Sequence, residues 1–109
     1  MENQYAKQRM IKDIQMDDVE IQVTGYVKEN SPEDNEIIID DKTGTLTVDI
    51  GEIKDLELND DDLINVIGEI KMNMDGEQTI NAQIIQDMND LNFEYYTQLY
   101  EIKKDLIYK

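Results

Sequence analysis

The feature that most constrains the fold of this chain is a series of five short segments in which branched apolar residues alternate with polar ones. In the first segment, single polar residues separate Val19, Ile21 and Val23. A period of two is that of a β-strand with one buried face. Branched side chains, which include sixteen Ile, also fit the pleated surface of a sheet. The alternation predicts strands over residues 19–28, 36–40, 45–50, 63–71 and 79–86.

The predicted strands are connected by recognisable turns. Gly25 and Gly68 interrupt the first and fourth strands, where a bent strand needs a bulge or a close approach. Tight turns at residues 41–44 and 75–76 join two hairpins, and residues 51–62 form an acidic connector. Beyond the first strand, the predicted inward residues are Ile37, Ile39, Leu46, Val48, Ile50, Ile64, Val66, Ile70, Ile80, Ala82 and Ile84.

After the last strand the apolar period changes to that of a helix, with Asn89 or Asp90 as its N-cap. Five strands, curvature glycines, a connector and a terminal helix predict a mainly β fold, a five-stranded OB barrel with a C-terminal α-helix. Periodicity alone also allows another small barrel. We expect one domain, made of an N-terminal arm or short helix (1–16), the barrel (17–87) and an oligomerisation helix (88–109).

The net charge of −16 is the most unusual bulk property, because it opposes close approach to a polyanion. Adaptation to a salty cytosol and a merely solvated surface are alternatives to a dedicated role for this charge. Without His or Cys the usual general base and thiol nucleophile are absent, so we expect neither an enzyme nor a cofactor. The sequence contains no apolar run of about twenty residues, so we expect no membrane span and a cytoplasmic protein.

Four stretches resemble the OB domains of replication protein A and its relatives. Residues 39–48 (IDDKTGTLTV) resemble the family's DD-x-T-G hairpin. Residues 21–27 and 64–70 resemble its first and fourth strands, and residues 84–91 resemble the link to the C-terminal helix of the middle subunit. The resemblance implies an archaeal small- or middle-type subunit of a heterotrimeric single-stranded DNA-binding complex, active in DNA replication, repair and recombination.

A face that binds single strands needs aromatic platforms and cations. Tyr26 is the one aromatic residue of the predicted barrel, and Lys28 follows it in the strand. The alternative is that Tyr26 packs on a neighbouring loop and the lysines are solvated. Residues 60–62 form an acidic triplet that lacks the spacing of a metal site and is typical of a solvated turn. The candidate nucleic-acid-binding residues are Tyr26, Lys28, Lys42, Lys71 and Asn73.

The C-terminal helix carries two apolar stripes. One consists of Leu91, Tyr95, Leu99, Ile102 and Leu106, and the other of Phe93, Tyr96, Tyr100 and Ile107. A helix on its own barrel needs one stripe, so the second predicts a partner surface. In the family that the chain resembles, the C-terminal helices of three subunits form a bundle, which implies the same use here. The candidate partner-interface residues are Leu91, Phe93, Tyr95, Tyr96, Leu99, Tyr100, Ile102 and Leu106.

Together these patterns predict an OB-fold subunit of a replication protein A-like complex, acting mainly in assembly. Its partners would be basic OB-fold subunits that make most of the contact with single-stranded DNA, while this chain binds DNA weakly. Two alternatives stay open. One is a stand-alone single-strand binder acting through Tyr26 and Lys28. The other is an acidic DNA mimic that occupies a partner's DNA groove.

Overall fold

A computed structural model describes residues 7–15, 17–31, 35–51, 53, 57–72 and 76–107. The five predicted strands are all present, and a further two-residue strand precedes them. The elements are β1 (Lys7–Gln8), a 3-10 turn (Ile11–Asp13), β2 (Glu20–Ser31), β3 (Glu36–Asp40), β4 (Thr45–Asp49), β5 (Leu63–Met72), β6 (Gln78–Asp87) and α1 (Phe93–Ile107).

Strands β2 to β6 close into a barrel. The hydrogen-bonded order is β2–β3–β4–β6–β5, and β5 pairs back onto β2. The β4–β6 pair is parallel, whereas the other four pairs of the barrel are antiparallel. This arrangement, with one helix after the last strand, is the five-stranded OB fold, so the predicted fold class is confirmed.

The barrel interior is filled by the inward faces of these strands, with two corrections to the sequence-based expectation. The buried core consists of Ile21, Val23, Val27, Ile37, Ile39, Leu46, Val48, Ile64, Val66, Ile80 and Ala82. Val19 was expected inside, but it is 68% exposed because β2 begins only at Glu20. Ile84 was also expected inside, but it is 38% exposed.

A β-bulge explains the position of Ile84. Ile67 pairs with Ile84 while the next residue, Gly68, pairs with Ala82, so Gln83 is an extra residue in β6. An extra residue reverses the alternation of the strand beyond it. Ile85 therefore packs against the core in place of Ile84.

The N-terminal segment was predicted to be an arm or a short helix. Lys7 and Gln8 instead extend the sheet as β1, parallel to β2, and the 3-10 turn follows. Residues 1–6 and Met16 lie outside the described residues. Arg9 and Asp18 tie this segment down through a buried bidentate ion pair, with nitrogen–oxygen distances of 3.0 and 2.9 Å. No helix in the described part of the chain is long and apolar enough to cross a membrane.

The N-cap of α1 also differs from the expectation. Asn92, rather than Asn89 or Asp90, caps the helix, because its Oδ1 accepts a 3.0 Å hydrogen bond from the backbone N–H of Tyr95. Asn89 lies in the preceding turn, and its Oδ1 accepts the backbone N–H of Leu63 at the start of β5. The turn between β6 and α1 is therefore fixed against the barrel before the helix begins.

Candidate partner and nucleic-acid interfaces

One apolar stripe of α1 is buried against the outside of the barrel. Phe93 and Tyr100 are 7% and 6% exposed and pack with Met10 and Leu63. The Phe93 ring meets Tyr26 edge-on, with 5.2 Å between the ring centroids. We call Phe93, Tyr96 and Tyr100 the inner stripe. It is the second of the two predicted stripes without Ile107, whose side chain lies outside the described residues, and it holds the helix on its own chain.

The other stripe is exposed. Tyr95, Leu99, Ile102 and Leu106 are 59%, 42%, 55% and 71% exposed, and we call these four residues the outer stripe. At 3.6 residues per turn their common direction lies about 120° around the helix from that of the inner stripe. The barrel therefore cannot cover both stripes at once.

The eight candidate partner-interface residues consequently divide into two groups. The outer stripe contributes four that are free to meet a partner. Leu91 was predicted in the same stripe, but it precedes the first helical residue and packs beside Phe93 and Tyr100 instead. The structure uses Leu91, Phe93, Tyr96 and Tyr100 for packing within the chain.

Polar contacts fix the rotation of α1 on the barrel. The Tyr100 hydroxyl donates a 2.7 Å hydrogen bond to Asp13, and Lys104 Nζ lies 3.0 Å from both oxygens of the same carboxylate. Gln8 Nε2 donates to the Tyr96 hydroxyl at 2.7 Å. Burial opposes the charged form of Asp13, but the hydrogen bonds from Tyr100 and Lys104 outweigh it and lower the pKa of this carboxyl. Burial is also the main reason that the pKa of Tyr100 is raised.

An acidic ridge runs along α1 between its two stripes. Glu94, Glu101 and Asp105 follow one another at helical spacing on the side of α1 that separates the two stripes. Lys12 pairs with Glu101 at 3.1 Å, while Glu94 and Asp105 are exposed. The ridge therefore adds negative charge to the surface of α1.

Three of the five candidate nucleic-acid-binding residues lie together. Tyr26 is half-buried on the outer face of β2, and the Nζ atoms of Lys28 and Lys42 are 5.9 and 5.5 Å from its ring centroid. Tyr26 also packs on Phe93, the first residue of α1. Lys28 Nζ is 3.0 Å from Asp61, and this hydrogen bond is the main reason that the pKa of Lys28 is raised.

A cleft of about 590 Å³ opens beside Tyr26, between the β3–β4 turn and the first turns of α1. The sequence predicted Tyr26 and Lys42, but the helical wall of the cleft was missed. Its members are far from Tyr26 in sequence, and only helix packing brings them near this residue. The cleft is lined by Tyr26, Asp41, Lys42, Thr43, Asn92, Phe93, Glu94, Thr97 and Gln98.

The β3–β4 turn uses its carboxylates internally. Asp40 Oδ1 accepts the backbone N–H of Lys42 at 2.6 Å. Asp41, which is 1% exposed, accepts the backbone N–H and the hydroxyl of Thr43, and its other oxygen accepts the backbone N–H of Ile11. Lys42 has a positive φ of 72°. The turn is thus a fixed structure that holds Lys42 beside Tyr26.

The remaining candidates do not join this cleft. Lys71 lies eight residues along β5 from Leu63, the partner of Tyr26, which corresponds to about 26 Å along the strand. Asn73 lies outside the described residues. In the acidic triplet, Asp61 pairs with Lys28 and Asp62 accepts the backbone N–H of Asn59, which is turn chemistry. Within the described ranges no group of three or more possible metal ligands occurs.

Comparisons with known proteins agree with this architecture. Residues 5–107 match the model of the family described as telomere-capping, CST complex subunit (Ten1_2), a description of a subunit rather than an enzyme. A chain of the S. pombe Stn1–Ten1 complex is similar, with 18% identity over 92% of each chain and a TM-score of 0.74. The S. pombe telomere-capping protein Ten1 has the same identity and TM-score, over 92% of this chain and 98% of its own.

A more distant similarity reaches the family that the sequence motifs suggested. A chain of a replication protein A heterotrimer bound to single-stranded DNA has 16% identity and a TM-score of 0.62, over 81% of this chain and 72% of its own. A search of curated protein sequences gave no significant match. At these identities the solved structures establish a shared OB fold.

Proposed function

This chain belongs to the family of telomere-capping CST complex subunits, and from that premise we propose that it is an OB-fold subunit of a single-stranded DNA-binding complex. Its main contribution is assembly, through the outer stripe of α1, with another OB-fold subunit. The observation that carries this proposal is the exposure of four large apolar side chains on a helix whose other stripe is already buried.

The spacing of the outer stripe supports a helix as the docking element. Its residues are separated by intervals of four, three and four, which is the pattern of a coiled-coil seam. Burying a Leu or Ile side chain contributes about 1.5–3 kcal/mol, so covering this stripe would yield several kcal/mol toward association. The similarity to a chain of the Stn1–Ten1 complex, a structure that contains a partner, supports the same reading.

Charge supports a basic partner. A chain of net charge −16 repels a second copy of itself and attracts a cationic surface. The acidic ridge of Glu94, Glu101 and Asp105 adds negative charge to the same helix. A partner helix with Lys or Arg along its flank would meet both requirements, and such a partner would also carry most of the contact with DNA.

We further propose that the chain corresponds to the small or middle subunit of a replication protein A-like heterotrimer. The similarity to a chain of that heterotrimer supports this equivalence. An archaeal source and a cytoplasmic location stay predictions from the sequence.

Paired charge substitutions test the assembly proposal. We expect Leu99→Glu with Ile102→Glu to abolish co-purification of OB-fold partners from native cells while the barrel still melts cooperatively. Tyr96→Glu with Tyr100→Glu should instead lower the melting temperature, because these residues belong to the inner stripe. Thr45→Glu with Gln83→Glu adds the same charge at exposed barrel positions and serves as the control. If partners are retained by the Leu99 and Ile102 variant, α1 only caps the barrel and the proposal fails.

A further inference from the structure

We infer that the cleft beside Tyr26 binds one nucleotide of a single-stranded nucleic acid, with its base against the Tyr26 ring and its phosphate near Lys42. The inference rests on the proposed function in one respect, namely that the chain works where single-stranded DNA is bound. It adds a contact site on this chain that is separate from the outer stripe.

The first observation is the way in which the turn presents Lys42. Its φ of 72° lies in the left-handed region, which a side chain other than Gly adopts only against steric strain. Strain of this kind persists where the surroundings hold it and is concentrated at binding sites. Here Asp40 and Asp41 hold it through the hydrogen bonds that they accept from Lys42 and Thr43. The turn therefore fixes the backbone of Lys42 beside Tyr26.

The second observation is electrostatic. In so acidic a chain most nearby lysines are neutralised, and Lys28, Lys12 and Lys104 each lie within about 3 Å of a carboxylate. Lys42 makes no ion pair among the described residues, although Asp40 and Asp41 flank it in sequence. Both carboxylates already accept hydrogen bonds within the turn. The ammonium group of Lys42 is thus available to an external anion.

The third observation is the form and chemistry of the cleft. Its volume of about 590 Å³ falls within the range of about 300–1,000 Å³ that is usual for small-ligand sites. Phe93, itself buried, supports the Tyr26 ring edge-on and so fixes its orientation. An oriented aromatic ring is a stacking platform that accepts any base. Gln98, on the wall formed by α1, offers an amide to the base edge.

Use of this cleft is compatible with assembly. Two of the helical residues that line it, Glu94 and Thr97, occupy a different side of α1 from the outer stripe. A partner on the outer stripe would leave the mouth of the cleft open to a strand. The charge of −16 makes the contact weak at physiological salt, because long-range repulsion opposes the local attraction of Lys42.

Fluorescence anisotropy with a labelled oligodeoxythymidine at low salt tests the inference, using matched pairs of variants. Lys42→Ala removes the same charge as Lys71→Ala, which lies at the far end of β5. Tyr26→Leu removes a ring from the cleft, and Tyr95→Leu removes one from the outer stripe. We expect Lys42→Ala and Tyr26→Leu each to weaken binding about fivefold or more, and both controls to weaken it less than about twofold.

Equal losses from Lys42→Ala and Lys71→Ala, or unchanged binding by Tyr26→Leu, would overturn the inference. So would the absence of any binding by the unaltered chain at low salt. Because Tyr26→Leu removes packing against Phe93, amide NMR of the unaltered chain gives a second readout. Oligodeoxythymidine should shift the resonances of Thr43, Thr97 and Gln98. If a Lys-rich peptide shifts them and the oligonucleotide does not, the cleft binds protein and the inference fails.

The same variants separate this inference from the proposed function. Lys42→Ala and Tyr26→Leu leave the outer stripe unchanged, so each should still co-purify with OB-fold partners. If these two variants keep both their partners and the DNA affinity of the unaltered chain, the nucleotide site is refuted and the assembly proposal is not. Loss of partners from the Leu99 and Ile102 variant, with DNA binding intact, would support assembly independently.

Discussion

The phenolic hydroxyl of Tyr100 donates a 2.7 Å hydrogen bond to Asp13, which ties the middle of helix α1 to the N-terminal segment. Lys104, one turn further along, donates to the same carboxylate. Tyr100 is only 6% exposed, so this bond lies largely away from water. The contact helps to determine which stripe of α1 faces the barrel and, in consequence, which stripe remains for a partner.

Removal of this hydroxyl should destabilise the fold. We expect Tyr100→Phe to lower the free energy of unfolding by about 1.5–3 kcal/mol, because the lost hydrogen bond involves a charged acceptor. Tyr95→Phe removes a hydroxyl from the exposed outer stripe and should change stability by less than about 0.5 kcal/mol. Urea denaturation measures both values. Equal effects from the two variants would contradict a structural role for the Tyr100–Asp13 bond.

Asp13 also predicts a pH dependence. Burial alone would raise the pKa of this carboxyl above its usual 3.8, but hydrogen bonds from Tyr100 and Lys104 lower it. The folded state therefore favours the carboxylate, and the resulting stability is complete above pH 3.8 and lost as the pH falls through the lower folded-state pKa.

The comparison of the unaltered chain with Asp13→Asn isolates this contribution from the general effect of protonating other acids. We expect their difference in unfolding free energy to be largest near neutral pH and to shrink below pH about 4. Urea titrations across this range measure the difference. A gap that stays constant on acidification would show that the Asp13 charge contributes nothing.

The buried pair of Arg9 and Asp18 gives a third prediction. Asp18→Leu removes the carboxylate that pairs with the Arg9 guanidinium, which is 6% exposed, and should cost about 3–5 kcal/mol. The double change Arg9→Met with Asp18→Leu should cost less than Asp18→Leu alone, because it removes the buried guanidinium together with its carboxylate. A double-mutant cycle in urea tests the coupling. Additive effects would indicate that the two side chains act independently.

The barrel could be predicted from the sequence because each strand keeps one face toward the core, so the alternation is visible in the chain itself. The bulge at Gln83 could not be predicted in the same way. Ile84 and Ile85 are adjacent and both apolar, so the alternation of apolar residues is equally compatible with either of them facing the core. Only the pairing of β6 with β5 selects Ile85 as the inward residue.

The helix shows a similar division between local and long-range information. Helical periodicity identified both stripes of α1, but it could not identify the inward one, because the two are about equally apolar. Contacts with Leu63, Met10 and Asp13 make that choice, and all three are distant in sequence. The two-residue strand β1 was missed because so short a segment has no period. The helical wall of the cleft beside Tyr26 was missed for the same reason as the helix orientation, because contacts between residues distant in sequence determine both.

Two glycines at bent strands provide the last prediction, and the structure ranks them. A methyl group at Gly68 would collide with the backbone carbonyl of Asn81, at the bulge where β5 and β6 change register. At Gly25 the nearest atom to such a methyl group is the Asp40 carbonyl oxygen at 3.1 Å, which a small shift could relieve. We therefore expect Gly68→Ala to cost about 3 kcal/mol or more and Gly25→Ala about 1 kcal/mol. Thermal melts of the two variants compare these costs directly. A larger loss of melting temperature from Gly25→Ala would contradict the close approach of β5 and β6 on which barrel closure depends.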